Sequence, residues 1–65
     1  MARLHPPSMI AMHRLDVFAS SGSRRYMIGR YMAESKDQAI LAARAKIADQ
    51  EPMLLAWVWS AVEVL

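Results

Sequence analysis

The groups able to do acid–base or metal chemistry are few. Asp16 and Glu63 are carboxylates set within apolar runs, and His5 and His13 are the only imidazoles. A carboxylate pair or a histidine base works only where such groups converge in a cleft. A chain of 65 residues folds as a thin domain with little depth for a pocket. Asp16 and Glu63 are therefore not read as a catalytic pair, and His13 is read as structural. The chain has no cysteine, so disulfides and a thiol nucleophile are excluded. Two histidines near the N-terminus make a poor zinc set. There is no Ser-His-Asp arrangement and no phosphate-binding glycine loop. The expectation is no enzyme, no cofactor and no metal.

The chemistry that remains is that of contact surfaces. Trp57 and Trp59 alternate within the apolar C-terminal stretch, and Arg24, Arg25, Tyr26, Ile28 and Arg30 lie together in the middle of the chain. Aromatic, arginine and methionine side chains are the types enriched at the centres of protein interfaces. The formal charge is +2 and the pI about 9.5. That is mildly basic, a weak field for nucleic acid and the wrong sign for a DNA mimic. No signal-peptide pattern precedes Pro6-Pro7. The most apolar stretch is shorter than the roughly 20 residues a membrane span needs. A cytoplasmic location is expected.

The elements that must position these residues follow from periodicity. Residues 1–8 are expected to be a flexible tail, because His5-Pro6-Pro7 suits neither helix nor ladder pairing. Residues 9–65 are expected to form one domain. Residues 9–20 alternate as a strand, with Leu15 and Val17 inward and Phe18 outward. Ser20-Ser21-Gly22-Ser23 is a turn, since glycine supplies the positive φ of a hairpin. Residues 26–34 form the second strand. Its odd-numbered face, ending in Ala33, is taken as inward, with Tyr26, Ile28, Arg30 and Met32 outward. Gly29 marks a bulge or a close backbone approach. Ser35-Lys36-Asp37-Gln38 is a capping box, opening a helix that runs to about Gln50 and stops before Pro52. Ala39, Ile40, Ala43 and Ile47 form its sheet-facing stripe. A short helical turn can begin at Pro52. Residues 57–65 alternate as the last strand, with Val58, Ser60, Val62 and Val64 inward.

These elements predict an α+β, two-layer ββαβ fold. The sheet is three-stranded and antiparallel or mixed, in the order 2-1-3, with the helix on one face. The other face is then bare. It is expected to carry Phe18, Tyr26, Ile28, Arg30, Met32, Trp57 and Trp59, with Arg14 and Asp16 at its side and Arg24 and Arg25 at the hairpin tip. A contiguous apolar patch of that kind marks an interaction site. Three occupants compete: another protein, a second copy of the chain, or nucleic-acid bases stacked on the aromatics with arginines on phosphate. If the inward assignments are reversed, the tryptophans are core under the helix.

The strand followed by Ala33-Glu34-Ser35 and a helix opening Lys36-Asp37-Gln38-Ala39 resembles small strand-strand-helix-strand proteins of phages and mobile elements, some anti-CRISPR proteins among them. The resemblance covers about a third of the chain, residues 26–48, and carries no site motif. It implies a non-enzymatic inhibitor that binds a Cas subunit of a bacterial host and blocks DNA binding or nuclease recruitment. A small nucleic-acid-binding module and a structural homodimer are the alternatives.

Overall fold

The computed structural model describes residues 11–65. The expected tail and the first two residues of the expected first strand lie outside the described residues. Strand β1 (His13–Ser21) and strand β2 (Arg24–Ala33) form an antiparallel hairpin. Helix α1 (Lys36–Gln50) follows, then a 3-10 turn (Pro52–Ala56) and strand β3 (Val58–Glu63). The sheet has three strands in the order β2-β1-β3, with β3 antiparallel to β1. This is the α+β ββαβ arrangement that the periodicity predicts.

Local chemistry explains each boundary. Between Ser21 and Arg24 the loop is Gly22-Ser23, and Gly22 alone has a positive φ, +60°. Positive φ at the first central residue only is the pattern of a type II′ hairpin turn, whose twist suits the flanking strands. At the start of α1, Ser35 is extended and its hydroxyl accepts the amide N–H of Gln38 at 3.2 Å. Asp37 in the first turn complements the helix dipole. The helix ends where Glu51 donates its N–H to the Ile47 carbonyl at 2.8 Å, just before Pro52 opens the 3-10 turn.

The core lies between α1 and one sheet face. Leu15, Val17 and Ala19 enter it from β1, Ala33 from β2 and Ala61 from β3; Ala39, Ala43 and Ile47 close it from the helix. Helical spacing puts those three on one stripe. The small side chains of Ala39 and Ala43 let the helix backbone come close to the sheet. Ile28, Tyr31, Ile40 and Trp59 pack around this centre.

Two strands present different faces to the helix from those expected. In β2 the odd-numbered face was expected inward throughout. Tyr31 and Ala33 do face the helix, but the register shifts at Val17/Phe18: Val17 pairs with Gly29 and Phe18 with Met27, leaving Ile28 as the extra residue. Such a bulge reverses the alternation on its far side. Ile28 therefore turns toward the core, and Met27 turns out to solvent, half exposed. Gly29 supplies both features expected of it. It sits at the bulge, and a Cβ there would lie 3.3 Å from Cε1 of the Tyr31 ring. In β3 the assignment is reversed. Trp59 and Ala61 pair with Ala19 and Val17 on the helix side, while Val58, Ser60 and Val62 are exposed on the other. Trp59 packs against the cluster to which the helix contributes Ala39 and Ala43.

Candidate binding face

The residues singled out for partner contact divide between the two sides of the sheet. Trp59 belongs to the helix side. Its indole N–H donates to the Leu54 carbonyl at 2.9 Å, and the Arg44 guanidinium lies 5.4 Å from its ring centre. Arg44 in turn donates to the Leu55 carbonyl at 3.1 Å, so it joins α1 to the 3-10 turn. Trp57 is half-buried and stacks on Tyr26, with ring centres 5.5 Å apart and planes within 14°. That stack closes the hairpin end of the helix layer. Ile28 faces the core, and Arg24 is exposed beside the turn. The helix-free face therefore lacks Trp57, Trp59, Tyr26 and Ile28.

Phe18, Arg25 and Arg30 do lie on the helix-free face. Register builds this face in rows across the sheet. Val58, Ser20 and Arg25 form one row, Ser60, Phe18 and Met27 the next, and Val62, Asp16 and Arg30 the third. Beyond them Arg14 stands opposite Met32. Arg25 folds over Phe18, its guanidinium carbon 3.9 Å from the ring centre, a cation–π contact that shields the ring. Arg30 grips Asp16 through Nε at 2.7 Å and more weakly through a terminal nitrogen at 3.4 Å. Asp16's hydrogen bond, then its charge, raises the Arg30 pKa above its ordinary value. Around this pair Met27, Met32, Val58 and Val62 stand half exposed or more. Three arginines against one carboxylate leave the face positive.

Met27, Val58, Ser60 and Val62 are the members of this face that the sequence pattern places on the wrong side. For Met27 the available signal was Gly29. A bulge at that glycine inverts the parity of everything before it. For the valines it was the pairing of Trp59 and Ala61 on one face with an alanine-lined helix.

On the opposite side an open hollow of about 560 Å³ lies between the start of β2 and the end of α1, lined by Tyr26, Ile28, Ile47 and Glu51 among others. His13 meets Glu63 at 2.9 Å (Nδ1 to Oε2), with both side chains well exposed. Among the described residues no group of three or more metal-ligating side chains comes together. No helix among them is long and apolar enough to cross a membrane. No family model, no curated protein and no solved structure matches this chain.

Proposed function

We propose that the chain is a non-enzymatic protein-interaction module that binds its partner through the helix-free sheet face. One observation carries this reading. Met27, Met32, Val58 and Val62 are exposed along the rows from Val58 to Met32, on a sheet face that no other described element covers. Methionines adapt to irregular partner surfaces. Arg14 and Arg25 add positive charge to an apolar centre, so the matching surface is apolar with carboxylates at its rim. The Asp16–Arg30 pair holds the centre of the face in one geometry.

The partner class comes from the resemblance to anti-CRISPR proteins, which implies a Cas subunit of a bacterial host and a cytoplasmic site of action. Occlusion of a protein surface is the corresponding mechanism. It needs no catalytic group and no cofactor. Nucleic acid suits the face less well. Its one aromatic ring, Phe18, is capped by Arg25 and offers no open surface for a base.

Purified Cas effector complexes offer the test, assayed for target-DNA binding with and without the protein at moderate and high salt. The expected result is inhibition that survives high salt and is lost in the Met27→Asp, Met32→Asp double variant. Binding to DNA itself that falls steeply with salt would move the reading to a nucleic-acid module. No effect on any complex would remove the Cas subunit as partner for those systems.

A further inference from the structure

The two edges of the sheet are not alike. The β2 edge is guarded: the strand carries the bulge at Ile28–Gly29 and three arginines, with Arg24 exposed and Arg25 and Arg30 folded inward over Phe18 and Asp16. Bulges and charged side chains are devices that prevent strand pairing. The β3 edge is less protected, with Glu63 as its one charged residue. It has no bulge against β1, no proline and no basic residue, and among the described residues it pairs on one side only. Val64 donates its N–H to the Arg14 carbonyl at 2.9 Å. Backbone direction alternates along a strand, so the N–H and C=O groups of Trp59, Ala61 and Glu63 point away from β1, toward the open edge.

The geometry points to a homodimer formed by antiparallel pairing of β3 with β3 of a second copy. The strand is self-complementary about Ser60. A two-fold axis through Ser60, normal to the sheet, sets Val58 opposite the partner subunit's Val62, and Val62 opposite the partner subunit's Val58. Both valine pairs fall on the helix-free face. On the helix side, Trp59 and the partner subunit's Ala61 become a hydrogen-bonded pair through the outward amides. No like charges meet, because Glu63 faces the partner subunit's Trp57. Val58 is 71% and Val62 48% exposed in the single chain, and β-branched pairs across strands are favourable. A small core also gains from self-association. The helices of both copies then lie on one side of a continuous sheet, and the two helix-free faces merge on the other.

The test is molar mass by light scattering and analytical ultracentrifugation across micromolar to near-millimolar concentration, with amide exchange followed by NMR. A concentration-dependent dimer is expected, in which the amides of Trp59, Ala61 and Glu63 slow by about tenfold or more. The Val58→Lys, Val62→Lys double variant is expected to be monomeric with an unchanged circular dichroism spectrum. Ser60→Lys, at an exposed position on the axis, is expected to do the same and covers the case in which the double variant misfolds. A monomer at every concentration overturns the inference. So does a dimer that persists in both variants, or one whose protection falls on Arg25, Met27 and Met32 at the other edge. Self-pairing does not depend on the outer-face reading. Met27→Asp with Met32→Asp leaves β3 untouched and is expected to leave the dimer in place while abolishing partner binding.

Discussion

The indole N–H of Trp59 and the backbone N–H of Trp57 both donate to one acceptor, the Leu54 carbonyl, at 2.9 and 3.0 Å. This single oxygen ties the 3-10 turn to the strand that follows it. Leu54 is itself buried, so the link anchors the helix–strand connection to the core. Trp59 is thus a structural residue. Trp59→Ala is expected to lower stability by about 2–4 kcal/mol, since it removes aromatic packing and a hydrogen bond together. Trp59→Phe keeps most of the packing and is expected to cost about 1–2 kcal/mol. Urea unfolding followed by circular dichroism measures both. Equal losses for Ala and Phe would assign the whole effect to the hydrogen bond.

The two valines of adjacent strands give a sharper contrast. Val17 is fully buried, and Val62 is half exposed on the outer face. Val17→Ala leaves a cavity and is expected to cost about 2 kcal/mol. Val62→Ala removes little buried surface and is expected to change the stability of the single chain by less than about 0.5 kcal/mol. Thermal melts at low protein concentration, where self-association is minimal, give the comparison. A larger loss at Val62 than at Val17 would contradict the face assignment.

Gly22 is a third site where local geometry decides. Its φ of +60° is the only positive value among the described residues, and no heavy atom lies near the position of an added Cβ. Gly22→Ala therefore meets no steric neighbour and acts through backbone strain alone. The expected cost is about 1–2 kcal/mol. Gly22→Asn, a residue that tolerates this region, should recover a good part of it. Denaturant midpoints for the pair separate strain from packing.

Element order, strand pairing and the helix limits were legible because each rests on short-range chemistry. Ser35 with Gln38, Gly22 and Pro52 act within a few residues of themselves, and the inward pair Leu15/Val17 shows in plain alternation. Which face of β3 meets the helix was not legible in the same way. Its two faces are both apolar, so alternation alone does not rank them. The choice is made across the core, where Ala39 and Ala43 leave depth for the Trp59 indole and Arg44 reaches over its ring. In β2 the alternation holds within each half and breaks at Ile28. One extra residue moved Met27 onto the helix-free face and Tyr26 off it.

The alanine stripe supplies the last prediction. Ala39 and Ala43 are fully buried against the sheet, whereas Ala45 and Ala48 face solvent on the same helix. Helix propensity changes little from alanine to leucine, so substitutions at the two sets differ mainly in packing. Ala43→Leu forces three extra carbons between α1 and the sheet and is expected to cost about 1–3 kcal/mol through overpacking. The layers must separate to accept it, and the half-buried indole of Trp59, which packs against this cluster, gains access to water. A red shift of tryptophan emission and easier quenching by acrylamide should accompany the loss of stability. Ala48→Leu is expected to show neither. If Ala43→Leu is instead tolerated with unchanged emission, the close approach of helix to sheet is not what holds Trp59 in place, and the Leu54 carbonyl alone must do so.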